Sequence, residues 1–219
     1  MEPNGLLAAG GGLGVARLFD AYSRGIFPWF GEGDPVLWWS PDPRMVLPTD
    51  ALHVSRSLRR RLRRRDYRVT MDQAFSQVLH ACASPRGNEA GTWLVPSMLR
   101  AYRRLHDAGA AHSIEVWNDT SLAGGLYGVA IGRMFFGESM FSRKTDGSKI
   151  ALVTLAAQLA RWEFPVIDCQ LQTTHLTTLG ARAVARAEFV RLVDRLVQQP
   201  SVPAPWNVDQ DLSVTARYQ

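Results

Sequence analysis

The spacing of apolar residues changes period several times along this chain, and each change marks an element. The stretch VARLFDAYSRG (15–25) reads as a short helix stopped by Gly25. IFPWF, GEGDP and VLWWSPDPR follow. Pro28, Pro35, Pro41 and Pro43 break any regular period there, so this is a loop-rich aromatic segment draped over the rest of the chain. Ser55 is placed to cap a helix whose inner face is Leu58 and Leu62. Thr70-x-x-Gln73 has the form of a capping box, opening a helix through Ala74, Phe75, Val78, Leu79 and Cys82. Pro96 starts the next helix, with Leu99, Tyr102 and Leu105 inward and Gly109 as the stop. SIEVWNDTSLAGGLYGVAIG predicts a hairpin turning at Asn118-Asp119. Ser148 is expected to cap an almost wholly apolar, hence buried, helix to Trp162. PVIDCQLQ reads as a strand, TTHLTTLGAR as a turn, and Arg186 to Val197 as a last amphipathic helix.

The most informative stretch is GGLYGVAIGRMFFGESMFS, residues 124–142. Branched and aromatic residues favour strand here. Five glycines within it mark a sheet opened where another backbone or a ligand comes close. It ends on Glu138, flanked by Gly137 and Ser139 with Phe136 and Met140 beyond. A carboxylate among large apolar neighbours is costly unless paired or hydrogen-bonded. Glu138 is therefore either a satisfied structural acid or a group that orients a cation in an apolar pocket. Strands alternating with helices from position 43 onward predict an α/β (α+β) domain with a largely antiparallel sheet.

Composition narrows the function. The chain of 219 residues is 46% hydrophobic and 21% charged, as in a folded globular protein. No apolar run is long enough to span a membrane, and the N-terminus lacks a basic signal-peptide region, so a cytoplasmic protein is expected. Cys82 and Cys169 are too few and too far apart for a disulfide framework or a zinc site, and the five histidines are scattered, so no metal is expected. Seven arginines lie between Arg56 and Arg65 with no acid among them; without those seven the net charge of +5 falls to −2. The basic character is one patch, in which Arg56, Arg59, Arg60 and Arg63 form a helical stripe. It is either a solvated face or a contact for a polyanion. Trp29, Trp38 and Trp39 read as glue between two parts of the chain, or else Tyr22 and Trp29 offer stacking faces to a nucleobase.

Several blocks together resemble a known family. EPNGLLA (2–8), AYSRGIFPWF (21–30), LWWSPDPR (37–44), GTW (91–93), AHSIEVW (111–117), GGLYGVAIG (124–132), FGESMFSR (136–143), SK (148–149), and IDCQ with HL and LGA (167–181) match the bacterial leucyl/phenylalanyl-tRNA–protein transferases in order. The resemblance implies a small N-terminal domain over 1–42 and an acetyltransferase-like catalytic domain over 43–219. It implies transfer of Leu or Phe, with Met a further candidate, from aminoacyl-tRNA to the free α-amine of proteins beginning with Arg or Lys. The new N-terminus marks them for N-degron proteolysis. It places the terminal adenosine on Tyr22, Trp29 and Trp93, and the aminoacyl side chain among Leu126, Phe135, Met140 and Ile167. It makes Glu138, Asp168 and Gln170 the polar catalytic centre, and the basic helix, through Arg56, Arg59, Arg60 and Arg63, the seat of the tRNA stem. No cofactor is implied, and a monomer is expected. Two departures stand out: relatives carry a further stretch ahead of the EPNG block, and position 126 is Leu where Met also occurs.

The chemistry agrees with that expectation. An aminoacyl ester is already activated, so ATP is unnecessary. An α-amine with a pKa of about 7.7–8.0 is substantially neutral near physiological pH and needs no strong base. Asp168 is expected to accept a proton from the amine or orient it by charge. Gln170, two residues on, is expected on the same face of the strand. His175 has the chemistry of a base but the setting of a structural turn residue. Glu138 and Asp168 are the acids available to read a basic acceptor. Two alternatives remain. An acyl-CoA N-acetyltransferase on the same fold would need a phosphate-cradling loop, for which RKTDGSK (143–149) lacks a glycine. A non-catalytic tRNA-binding module would use only the arginine helix and the aromatics.

Overall fold

A computed structural model describes residues 3–84, 92, 94–214 and 218. They form two sheets. In the first, β1 (Leu6–Ala9), β2 (Phe27–Pro28) and β3 (Leu37–Trp39) make a small antiparallel sheet in the order β1-β3-β2, with α1 (Val15–Ser23) between β1 and β2. The aromatic segment expected to be irregular thus supplies two short strands. Trp38 is the reason: its ring is buried in the core, and its indole N–H donates to the Gly10 carbonyl at 3.0 Å. Pro28 is tolerated because β2 is an edge strand of this sheet.

The second sheet has seven strands in the order β10-β4-β9-β8-β7-β6-β5. These are β4 (Arg44–Pro48), β5 (Arg68–Met71), β6 (Ala111–Asn118), β7 (Ser121–Ile131), β8 (Met134–Ser142), β9 (Val166–Gln170) and β10 (Arg182–Val184). Pairing is antiparallel except between β8 and β9, which are parallel and joined across α5 (Gly147–Arg161). The architecture is mixed α/β. The hairpin between β6 and β7 turns where expected, with Asp119 at φ 55°. One face of the sheet packs on α1, α3 (Phe75–Ala83), α4 (Pro96–Asp107) and α7 (Arg186–Val197); the other packs on α5 and α2 (Arg56–Arg63). Alternation along β8 puts Phe136 in the first core and Phe135 in the second.

Two predicted caps are replaced by tertiary contacts. Thr70 does not open a helix. It pairs with Glu115 in the β5–β6 ladder, and its hydroxyl donates to the Glu115 carboxylate, so α3 begins only at Phe75. Ser148 does not cap α5, which starts one residue earlier, after Asp146 in the left-handed region. The start is set by contact: a Cβ on Gly124 would lie 2.4 Å from the Gly147 carbonyl carbon, so strand and helix backbones touch there. Ser55 does cap α2, its hydroxyl accepting from the Leu58 N–H, and Leu58 and Leu62 are buried as the spacing predicts.

Candidate active site

The parallel ladder between β8 and β9 pairs Phe135 with Ile167 and Phe136 with Asp168, then stops. Gly137 follows, and the two strands are next bridged by side chains: Gln170 Nε2 donates to Glu138 Oε1 at 2.8 Å. An apolar cavity of about 130 Å3 opens at this break. Its floor is the cross-strand pair Leu126–Met140 and the parallel pair Phe135–Ile167. Leu152 and Leu155 of α5 and Leu176 of α6 (Thr174–Thr178) close it. The four residues expected to hold an aminoacyl side chain therefore line one cavity. A cavity of about 150 Å3 walled by such residues holds a benzene ring, and this one is of similar size.

Glu138 lines both this cavity and a larger cleft of about 1110 Å3. The cleft is walled by Trp29, Phe30 and Trp39 on one side, by Leu94, Val95 and Pro96 on another, and by Thr173 and His175 on α6 and its approach. Trp29 is 42% exposed, lines the cleft and meets Trp39 in a T-shaped pair at 5.7 Å. Tyr22 does not share that role. Its ring is fully buried against Phe136, and its hydroxyl is committed to Glu138 at 2.7 Å and Tyr102 at 2.8 Å, so it has no face to offer a base. Trp93 lies outside the described residues.

The polar centre is built in layers. Asp168 has no exposed surface, and its carboxylate is gripped by Arg44, Nε to Oδ1 at 2.8 Å and Nη2 to Oδ2 at 2.6 Å. Arg44 is itself fully buried between the rings of Phe27 and Phe189, 4.7 and 4.5 Å from their centroids. Asp168 Oδ1 also accepts the Gln170 backbone N–H at 2.9 Å. Gln170 sits at φ 61°, a conformation that non-glycine residues adopt only when their surroundings impose it. Where the sequence offers Asp168 to the amine, the structure leaves it no exposed surface, and its Oδ1 holds the backbone N–H of the residue whose side chain reaches Glu138.

Glu138 receives a third contact from Tyr102 of α4, whose hydroxyl lies 2.6 Å from Oε2. Burial is the largest influence on this carboxyl and pushes its pKa up to about 7, against the pull of the Tyr102 and Tyr22 hydrogen bonds. Burial likewise drives the Cys169 thiol far above its usual value, so this cavity-lining cysteine is not a nucleophile at neutral pH. Sequence spacing missed Arg44 and Tyr102. The available signals were an arginine heading the apolar run RMVLP and a tyrosine on an inward helix face, each of which needs a buried partner.

The basic helix is as expected in outline. Arg56, Arg60 and Arg63 are exposed along α2. Arg59 is half-buried and donates to the Val54 carbonyl, and Arg61 pairs with Asp66. Among the described residues no cluster of His, Cys, Asp or Glu is arranged to hold a metal. The amides that open α5 are already used: Gly147 N–H donates to the Lys144 carbonyl and Ser148 N–H to the Ser142 hydroxyl. A pyrophosphate cradle of the acyl-CoA kind needs such groups free.

Comparison with known proteins identifies the family. The family described as leucyl/phenylalanyl-tRNA protein transferase matches residues 46–194, and the N-terminal domain of the same family matches residues 11–42. The chain is 56% identical over 209 residues to the leucyl/phenylalanyl-tRNA–protein transferase of Thiobacillus denitrificans, covering 95% of this chain and 92% of that one. It is 57% identical over 205 residues to that of Stutzerimonas stutzeri, covering 94% and 90%. The chain belongs to the leucyl/phenylalanyl-tRNA–protein transferase family. It is an aminoacyltransferase that uses aminoacyl-tRNA and a protein as substrates. Among solved structures, L-PGS from Bacillus licheniformis shares 13% identity over 73% of this chain and 51% of its own, with a TM-score of 0.41, which shows no more than a distant likeness. No helix among the described residues is long and apolar enough to cross a membrane.

Proposed function

We propose that this transferase moves Leu or Phe from Leu-tRNA or Phe-tRNA onto the α-amine of proteins beginning with Arg or Lys, in the cytoplasm, and so marks them for N-degron proteolysis. The observation that carries the reading is the apolar cavity among Leu126, Phe135, Met140 and Ile167, opening past Glu138 and Gln170 into an aromatic cleft. The donor's side chain enters the cavity, its ester lies at the Glu138–Gln170 bridge, and its adenosine stacks on Trp29 in the cleft. The tRNA stem runs over the exposed arginines of α2. The order of strand, glycines, loop, buried helix and parallel strand supports an acetyltransferase-like catalytic domain, with the three-stranded sheet as the small domain beside it.

Chemistry at the bridge needs little more than placement. Holding an amine and an ester in attack geometry is worth up to about 7–11 kcal/mol. The bond from Gln170 Nε2 to Glu138 turns the Gln170 amide oxygen away from that carboxyl, where it can accept an N–H of the incoming amine. Arg44 and Asp168 act as positioning residues. The acceptor's basic side chain is not read by Asp168, whose charge is already matched by Arg44.

The test is transfer of labelled leucine from Leu-tRNA to two peptides that differ only in an N-terminal Arg or Asp. Label on the Arg peptide alone is expected. Equal labelling of both would remove the acceptor rule, and labelling of neither, with tRNA still bound, would favour a binding module.

A further inference from the structure

Three oxygen-bearing groups meet where the cavity joins the cleft. Tyr22 Oη lies 2.7 Å from Glu138 Oε1, Tyr102 Oη lies 2.6 Å from Glu138 Oε2, and the two hydroxyls are 2.8 Å apart. Each contact has the length of an O–H···O hydrogen bond and needs a proton. With Glu138 ionised, two phenols bring two protons to three contacts, and one pair of oxygens is left lone pair to lone pair. With Glu138 neutral, three protons fill three contacts in one cycle. Glu138 donates to Tyr102, Tyr102 to Tyr22, and Tyr22 to the other carboxyl oxygen, which also accepts from Gln170 Nε2.

The surroundings favour the neutral acid. Both phenols are fully buried, and burial pushes them well above the usual tyrosine value, so neither gives up its proton. Tyr127 on β7 is held up in the same way, first by burial. Arg44 on β4 and Asp168 on β9 neutralise each other. Cys169 on β9 stays a thiol, while His175 on α6 and Glu32 and Asp34 line the cleft beyond. No fixed cation is therefore directed at Glu138 from these elements, and its carboxyl is the titrating member of the ring.

We propose that this ring is the proton carrier of aminoacyl transfer: Glu138 rests as a neutral acid, turns its Oε2 proton from Tyr102 to the ribose oxygen as the ester C–O bond breaks, and regains one from the nitrogen. The balance closes. The amine lone pair forms the N–C bond, the C–O electron pair leaves on the ribose oxygen, and that oxygen takes the Glu138 proton. The carboxylate then takes the surplus proton from the new amide nitrogen, returning the ring to its starting state. Tyr22 and Tyr102 act on the reaction through Glu138, as positioning residues. The proposal rests on the aminoacyl-transfer reading above.

The experiment has two arms on the full chain. Infrared difference spectra of the free enzyme at about pH 6 and pH 8 are expected to show a protonated carboxyl carbonyl band that fades as pH rises and is missing in Glu138→Gln. In the second arm, Phe-tRNA and an Arg-initiated peptide are the substrates. Glu138→Gln is expected to lose about 10²–10⁴-fold in kcat with donor KM little changed. Tyr102→Phe keeps the acid but removes a hydrogen bond that is stronger to the carboxylate than to the acid, so the alkaline limb of its kcat profile moves to higher pH. Such a limb shift is not produced by simple loss of packing. Absence of the band in a wild-type enzyme that transfers, or Glu138→Gln within about threefold of wild type, overturns the proton carrier alone. Absence of transfer by wild type overturns the aminoacyl-transfer reading and the carrier with it.

Discussion

Replacing Arg44 by Met should separate the stability of this protein from its chemistry. Both Arg44 and Asp168 side chains are fully buried, and they meet through two hydrogen bonds at 2.8 and 2.6 Å. Met preserves much of the volume and keeps a soft contact with Phe27 and Phe189, so the loss isolates the charge. Leaving one buried charge unpaired costs about 3–5 kcal/mol. At about 2–4 °C per kcal/mol for a chain of this size, thermal unfolding should fall by about 6–20 °C. The double variant Arg44→Met/Asp168→Leu replaces the pair with apolar groups and should recover most of that stability. It should not recover transfer. Asp168 Oδ1 holds the Gln170 N–H and with it the left-handed backbone at φ 61°. Releasing about 1–3 kcal/mol of such strain depopulates the poised conformer by about 5–150-fold. The assay is a thermal melt beside kcat for leucine transfer on the same preparations. A melt unchanged in Arg44→Met would refute the isolation of the pair, and wild-type transfer by the stable double variant would refute its positioning role.

Three further outcomes follow from the structure. Ile167→Phe adds bulk to the cavity floor and should depress transfer of Phe more than of Leu, by about tenfold for each 1.4 kcal/mol of misfit, read as a ratio of kcat/KM values. Ala at Arg56, Arg60 and Arg63 together should lower the slope of log affinity against log salt for tRNA by about 2–3, while leaving transfer from a minimal aminoacyl-adenosine donor within about twofold; equal damage to both donors would mean the patch is structural. Burial raises the Asp72 carboxyl, but its bond to His112 at 2.8 Å and the backbone N–H groups of Trp206 and Ser113 outweigh this and hold it below its usual value. The stabilisation is therefore present above the unfolded value and lost as pH falls through the folded one. Urea midpoints of wild type and Asp72→Asn should differ near neutrality and converge in acid, and parallel curves would contradict the assignment.

Local pattern carried much of the fold into view. The period of the apolar positions located α1, α2, α4, α5 and α7 and the hairpin at Asn118-Asp119, because those periodicities are properties of a few neighbouring residues. It failed where a distant partner outbids a local one. Thr70 looked like a cap until Glu115, forty-five residues away, claimed its hydroxyl. Tyr22 looked like a stacking face until burial and two hydrogen bonds took its ring and its hydroxyl from solvent.

The residue types alone determined an α/β chain with one basic helix, an aromatic N-terminal segment and a glycine-rich strand pair carrying an unusual acid. They also carried the family resemblance that named the cavity residues. What each polar residue does was decided only in three dimensions. Arg44 and Asp168 are 124 residues apart and Tyr22 and Glu138 are 116 apart. The cost of burying a charge or a hydroxyl is fixed by the residue itself, but its compensation depends on whichever group the fold brings within hydrogen-bond reach. That meeting buries Asp168 against Arg44 and sets Glu138 at the junction of cavity and cleft.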